Sequence, residues 1–240
     1  MDSAHLLALV NALKERTVAV IGDIVADEFV YGRVARVSRE APVLILEYDS
    51  TEVVPGGGGN AANNVAALGG RAILAGVLGR DEPGRRLSAA LNARVDQRGI
   101  VRAADHHTPV KTRILAGGIR SAKQQVVRID RAVNGLVARD TRALFERRAF
   151  EAAMKSDAVL VSDYGSGLVT PAFVNRLRSA LRRDSHPIPI LVDSRYRVLE
   201  YRDLTACTPN EAEVEHALDV RAALAAEGVN DSEIARRVGV

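Results

Sequence analysis

Apolar residues along the chain alternate between two textures. Short dense runs rich in β-branched residues come first: "TVAVIGD" from Thr17 to Asp23, then "RAILAGVLG", "DAVLVSDYGSG", "IPILVDSR" and "LTACTPNE". Each reads as a buried strand ending at a turn or running into a helix. Between them the apolar positions recur every three or four residues, the helical period. Leu6, Leu9, Val10 and Leu13 predict an amphipathic N-terminal helix, and Ala61, Val65 and Leu68 a second one. Pro83 opens a third through Leu87, Ala90 and Leu91, and a fourth covers roughly 139–154. Thr170 and Pro171 are N-cap and first-turn residues for a fifth, with Phe173, Leu177 and Leu181 on its face. "NDSEIARRV" gives a last helical piece.

Strands alternating with helices imply parallel βαβ units, hence a three-layer αβα sandwich around a mainly parallel sheet. Two segments break the rhythm, approximately 32–54 and 101–130. "PVLILEYDSTEVV" looks extended, and "VKTRILAGG" and "KQQVVRID" flank a Gly-Gly turn and carry several bases. They fit a small β lid projecting from the main sheet. Residues 1–240 contain no repeat, no low-complexity tract and no linker, so they read as one domain.

Composition narrows the chemistry. Aromatic residues are 4% and Trp is absent, which argues against a base-stacking nucleic-acid platform. The net charge of +3 comes from interleaved Arg and Asp/Glu without a basic tail; small anionic partners fit it, nucleic acid does not. Cys207 is the single cysteine, so no intrachain disulfide forms, and in "LTACTP" it reads as a small buried residue. The N-terminus is too polar for a signal peptide and no apolar run reaches membrane-spanning length, so the expected location is the cytoplasm.

The stretch "VVPGGGGNAANNVAALGG", Val53 to Gly70, admits three readings. It is a flexible loop with Asn60 as N-cap and Gly69 as helix stop. Or it is a dinucleotide fingerprint, since Gly56, Gly58 and Ala61 match G-x-G-x-x-A; that motif, however, belongs in the turn after the first strand. Or it is a surface where a polar ligand meets bare backbone beside a helix N-terminus. Polar residues also gather at the predicted carboxyl ends of the strands, where ligands bind in open parallel sheets. Asp23 and Asp27 follow the first strand, Asp163 follows "AVLVS", Asp193 follows "ILV", and Asn210 and Glu213 follow "LTACTP". In "TPNEAE", Thr208, Pro209 and Glu211 form a capping box with proline at the first helical position. That accounts for Glu211 and leaves Asn210 and Glu213 to face a phosphate or a magnesium-bound water.

Taken in order, "VIGDIVADEF", "PGGGGNAANNVAALG", "VLVSDYGSG", "LVDSR" and "TPNEAEVE" resemble the ribokinase-like (PfkB) carbohydrate kinases along nearly the whole chain. "VSREAPVLILE" and "KQQVVRID" are most similar to the branch that phosphorylates D-glycero-β-D-manno-heptose 7-phosphate in ADP-heptose synthesis for lipopolysaccharide. The resemblance implies an ATP- and Mg2+-dependent transfer of the γ-phosphoryl group to a sugar hydroxyl, the anomeric one in that branch. It implies that Asp27, Gly56, Gly57 and Asn60 hold the sugar and that Asp163 is an acidic rim residue of the substrate site. Asn210 and Glu213, the family's N-x-x-E motif, would organise magnesium and phosphates, with Glu213 as the metal-side carboxylate. Lys111, Arg113, Lys123 and Arg128, in the lid region, are candidates for the phosphate already on the sugar. The implied assembly is a homodimer paired through the lid.

One departure stands out. The family's G-A-G-D motif, which supplies an anion hole and the general-base Asp, is absent from these residues. No catalytic base is therefore assigned, and the expectation is a C-terminally incomplete kinase domain that is poorly active alone. The alternative is a non-catalytic sugar-phosphate-binding module or a degenerate kinase subunit.

Overall fold

The computed structural model describes residues 2–117, 123–131, 137–182 and 187–226, the side chains from 220 onward excepted. The helical piece expected at "NDSEIARRV" and most of the Gly-Gly turn lie outside the described residues. The helices are α1 (Ser3–Ala12), α2 (Gly58–Ala67), α3 (Glu82–Ala90), α4 (Arg139–Ala153), α5 (Pro171–Leu181) and α6 (Glu211–Ala226). The strands are β1 (Thr17–Gly22), β2 (Ile24–Val37), β3 (Leu44–Gly57), β4 (Arg71–Gly79), β5 (Val95–Asp96) and β6 (Ile100–Ala103). They continue as β7 (Val110–Gly117), β8 (Gln124–Arg131), β9 (Ala158–Asp163), β10 (Ile190–Ser194) and β11 (Ala206–Cys207).

Among the described residues seven strands make a parallel sheet in the order β11-β10-β9-β1-β4-β5, with β6 also on β4. The dense apolar runs follow from burial on both faces. Ala19 and Ile21 of β1 pack with Val159, Val161, Phe145 and Phe173 under α4 and α5. Val20, between them, turns to Leu74, Leu78, Ala62 and Leu87 under α2 and α3. Period-2 alternation thus feeds two cores, and the three-layer αβα architecture results. Phe173 stacks against Phe145 and Phe150 at centroid distances of 5.7 and 5.8 Å, joining α5 to α4.

The second sheet is β3-β2-β7-β8. β2 and β3 form a long antiparallel hairpin, β7 runs parallel to β2, and β8 closes the edge antiparallel to β7. This sheet is the β lid. It draws on residues closer to the core than 32–54 alone, because β2 starts directly after Asp23, and Ile100–Ala103 belongs to the main sheet instead. β8 is exposed throughout, with Val126, Val127 and Ile129 on its surface.

Three local expectations are corrected. Asn60 is not the N-cap of α2: the helix begins at Gly58 behind Gly57, because Gly57 adopts φ 57°, ψ −133°, a turn only glycine enters easily. Cys207 is exposed, since β11 is a two-residue edge strand with β10 on one side. The apolar residues of α1 do not pack: Leu6, Leu7, Leu9 and Val10 are all exposed. None of the described helices is long and apolar enough to cross a membrane.

Candidate functional site

The carboxyl ends of β1, β9 and β10 meet in register, Gly22 beside Ser162 and Ser194 beside Asp163, and the lid begins one residue later. Asp23 fastens this junction. Its carboxylate accepts hydrogen bonds from Tyr164 N (2.8 Å), Ser166 N (3.4 Å) and Ser166 Oγ, while its carbonyl accepts from Gly58 N at 2.7 Å. Burial pushes the Asp23 carboxyl above its ordinary value, and those hydrogen bonds oppose the rise. Asp23 therefore ties the first strand, the start of α2 and the β9 loop together.

Asp27 lies on β2 opposite Val54 of β3 and Lys111 of β7. Its Oδ1 accepts from Arg113 Nη1 at 2.5 Å, and Arg113 stacks on Phe29 with 5.3 Å to the ring centroid. The other carboxylate oxygen rests against the backbone of Gly56, where any Cβ would collide with it and would stand 3.2 Å from the Val25 carbonyl. What the glycine at 56 admits, in this arrangement, is the Asp27 carboxylate itself. A Cβ at Gly57 would run into the Asp23 carbonyl. Asn60 is exposed in the first turn of α2, and its side chain makes no hydrogen bond among the described residues.

The four lid bases are not equivalent. Arg113 is taken by Asp27, and Arg128 makes a two-point pair with Asp130 at 2.7 and 2.5 Å. Lys123 pairs with Asp49 at 2.8 Å and sits over the Tyr31 ring, farther out on the lid. Lys111 has no carboxylate partner among the described residues; its ammonium lies 5.6 Å from the Tyr164 ring centroid. Lys111, Arg128, Asp130 and Arg131 line a cavity of about 340 Å³ whose other wall is Asp23, Tyr164, Ser166 and Arg195.

Asp163 is 2% exposed and its oxygens are engaged by the protein. One accepts from Gly165 N at 3.0 Å, the other from Ser194 Oγ at 2.8 Å and Tyr201 Oη at 2.7 Å. It fixes the β9 loop and the tip of β10, and burial together with this carboxylate drives the Tyr201 hydroxyl far above its ordinary value.

A second cavity at the strand tips is lined by Asp163, Tyr164, Asp193, Arg195, Thr208, Asn210 and Glu213. Asn210 and Glu213 form a reciprocal capping box: Asn210 N donates to Glu213 Oε2 at 2.9 Å, and Glu213 N to Asn210 Oδ1 at 3.0 Å. This corrects the assignment of the box to Thr208 and Glu211. The helix starts at Glu211, which makes Asn210 the N-cap and puts Pro209 outside it. The second oxygen of Glu213 accepts no hydrogen bond among the described residues. Burial, then the Glu213 carboxylate, push Asp193 above the usual carboxylate range, against a hydrogen bond from Thr208.

Tyr164 and Arg195 belong to both cavities. Burial, and next the carboxylates of Asp193, Asp27 and Glu213, push the Tyr164 hydroxyl up, while Arg195 opposes them. One phenol thus senses the acidic residue of the lid and those of the strand tips. Lys111 and Arg128 line the first cavity, and Asp163, Asn210 and Glu213 the second, with Tyr164 common to both; Asp27 lies opposite Lys111 across the β2–β7 pairing. Asp27, Gly56, Gly57, Asn60, Arg113 and Lys123 line neither cavity. Tyr164 and Arg195 were not singled out by the sequence patterns, although each adjoins a rim acid, in "SDYGSG" and "VDSR".

Residues 15–233 match the pfkB family carbohydrate kinase model. The chain is 34% identical over 223 residues to the "Bifunctional protein HldE" of Azorhizobium caulinodans, covering 92% of this chain and 45% of that protein. It is 37% identical over 221 residues to the protein of the same name from Caulobacter sp., covering 91% and 43%. The chain therefore spans less than half the length of these curated relatives. Among solved structures, a carbohydrate kinase from Agrobacterium tumefaciens superposes with TM-score 0.57 at 21% identity, over 94% of this chain and 68% of the other. Phosphofructokinase-2 from Escherichia coli in complex with fructose-6-phosphate gives 0.56 at 18%, over 93% and 68%. At such identities these structures speak for the fold.

Proposed function

The chain belongs to the pfkB family of carbohydrate kinases, and from that premise we propose that its cleft binds a phosphorylated sugar for phosphoryl transfer from ATP. The single observation that carries this reading is the Asp27 carboxylate. It is held by Arg113 against the bare backbone of Gly56 and lies opposite Lys111, which lines a cavity of about 340 Å³. A carboxylate is a strong acceptor for sugar hydroxyls, and an ammonium a strong donor to a phosphate. The acceptor we favour is D-glycero-β-D-manno-heptose 7-phosphate, on the strength of "VSREAPVLILE" and "KQQVVRID".

The strand-tip cavity suits the nucleotide phosphates and magnesium. Among the described residues no three metal-ligating side chains cluster, but magnesium needs only one or two carboxylates and keeps several waters. Burial and then the Glu213 carboxylate raise the cost of ionising Asp193, a cost that a divalent cation would lower. Glu213, through its uncapped oxygen, and Asn210 would hold the ion and the phosphates around it. A magnesium ion held there would supply charge neutralisation for the transferring group. In the transfer the sugar oxygen bonds to the γ-phosphorus, the bond to the β,γ-bridging oxygen breaks, and ADP leaves with the electron pair. The hydroxyl proton goes to a base. Family kinases take it with the Asp of G-A-G-D, a motif these 240 residues do not contain. Asp27 would orient the sugar, Lys111 would anchor its phosphate, and Asp23 and Asp163 would hold the loops that carry Tyr164.

Calorimetric titration of heptose 7-phosphate into the chain, followed by an ATP-turnover assay, tests the reading. Saturable binding by wild type and its loss in Asp27→Asn are the expected results. Binding without turnover is what a sugar-phosphate-binding module gives. A folded sample that binds no phosphorylated sugar ends the proposal.

A further inference from the structure

Arg195 sits where the two cavities meet. Among the described residues it is the only cation lining both. The other basic residues of the lid-side cavity are paired with acids or line that cavity alone. Arg128 is paired with Asp130, Arg131 reaches Glu28 at 3.0 Å, and Lys111 of β7, 5.6 Å from the Tyr164 ring centroid, lines the lid-side cavity only. Arg195 makes no ion pair with any described carboxylate, although Asp193 and Glu213 line the same strand-tip cavity. A guanidinium placed merely to neutralise those acids would be bonded to them.

Its position is nevertheless built. Arg195 N donates to the Asp163 carbonyl at 3.0 Å, and the preceding Ser194 is fixed by the Asp163 carboxylate. Its guanidinium carbon lies 5.4 Å from the centroid of the neighbouring Tyr196 ring. That ring in turn closes on Gly165, where a Cβ would stand 2.8 Å from Tyr196 Cδ2. The backbone is anchored, the side chain has an aromatic platform, and among the described residues nothing takes up its donors. A planar guanidinium with free donors matches the oxygens of a phosphoryl group.

Resting on the reading above, we propose that Arg195 binds the transferring γ-phosphoryl group of ATP as it passes between the two cavities. Charge on that group is spread over its outer oxygens during transfer, so a cation fixed at the crossing point stabilises it. The acceptor's own phosphate is left to Lys111 of the lid-side cavity.

The test compares wild type, Arg195→Gln and Arg195→Lys by calorimetry with MgATP, MgADP and heptose 7-phosphate in turn. Arg195→Gln is expected to weaken MgATP by about ten- to a hundredfold, the worth of a charge-assisted hydrogen bond. MgADP and heptose 7-phosphate should keep their wild-type affinities, and Arg195→Lys should recover part of the MgATP loss. Equal weakening of MgATP and MgADP, weakening of the sugar phosphate alone, or no change at all would each overturn the assignment. If wild type binds the sugar phosphate and MgATP but the variants match it, Arg195 alone is misassigned. If wild type binds neither, the kinase reading of the cleft fails and this inference falls with it.

Discussion

Replacing Asp27 by Asn keeps the side chain's shape, so the close approach to Gly56 survives, and removes only the charge. Two consequences follow, and the structure sets the size of each. The first is on folding. The Asp27–Arg113 pair is short, 2.5 Å, with both side chains about three-quarters covered (23% and 24% exposed). Exposed pairs contribute about 0–1 kcal/mol and broken buried pairs cost about 3–5 kcal/mol, so a loss of about 1–2 kcal/mol is expected here. For a chain of this size that lowers the melting temperature by roughly 2–8 °C. The second is on binding. A carboxylate accepting from a sugar hydroxyl contributes about 1.5–3 kcal/mol, so heptose 7-phosphate should bind about ten to 150 times more weakly. Arg113→Gln separates the two effects, because it removes the ion pair and leaves the carboxylate. Its stability should fall like that of Asp27→Asn while sugar affinity falls less. Calorimetry and thermal denaturation on both variants and the double variant complete the cycle. If Asp27→Asn loses stability but retains wild-type sugar affinity, Asp27 serves Arg113 alone and the sugar site lies elsewhere.

Other perturbations reach different parts of the molecule. Gly57→Ala forces a side chain into φ 57° and against the Asp23 carbonyl; denaturant titration should show a loss of about 1–3 kcal/mol, and an unchanged midpoint would show that the turn can relax. Asp81 caps α3 and also accepts from Thr108 N and Thr108 Oγ at 2.8 and 2.7 Å. Asp81→Ala should therefore cost about 1–3 kcal/mol at neutral pH. Burial alone would raise the Asp81 carboxyl, but the Thr108 and Gly84 hydrogen bonds outweigh it and hold it below 3.8. A depressed folded value gives stability that is present above the unfolded pKa and lost as pH falls through the folded one. The gap between wild type and variant, followed by denaturation at stepped pH, should accordingly close only in acid, below the usual carboxylate range. Finally, Lys111→Ala should weaken heptose 7-phosphate while Lys123→Ala, which removes the outer pair with Asp49 and the contact with the Tyr31 ring, should leave affinity intact and cost no more than about 1 kcal/mol of stability; the opposite order would move the phosphate outward along the lid.

The parts of this molecule that were legible in the sequence are those where one physical pattern has one solution. Ala19 and Ile21 alternating with Val20 must bury both faces, and with helices between the strands only a layered parallel sheet satisfies all of them. The rim acids were legible for the same reason, since they stop apolar runs. Where two patterns overlap within a few residues, the sequence does not choose. "TPNEAE" holds two pairs spaced by three, Thr208 with Glu211 and Asn210 with Glu213, and only the actual helix start makes the second the box. The amphipathic spacing of α1 could not reveal that Leu6, Leu9 and Val10 lack a packing partner among the described residues. Partners far apart in the chain were equally hidden: nothing local says that Arg113 meets Asp27, 86 residues away, or that Asp163 meets Tyr201.

That overlap at Asn210 and Glu213 bears on the chemistry. A helix N-terminus needs its first N–H groups satisfied, and the reciprocal box does so with one oxygen of each side chain. The same bonds hold the Glu213 carboxylate at the mouth of the strand-tip cavity, its other oxygen without a donor among the described residues. Capping and ligand binding are therefore not rival explanations of the motif. On the function proposed above, the cap fixes the orientation that a magnesium–phosphate site would require, and it removes rotamer entropy that binding would otherwise cost. Asp163 works the same way at the neighbouring strand: its oxygens are spent on Gly165, Ser194 and Tyr201, and the result is a fixed Tyr164 and Arg195. In this cleft, acids whose oxygens are used up by the protein position the groups whose donors and acceptors are still open.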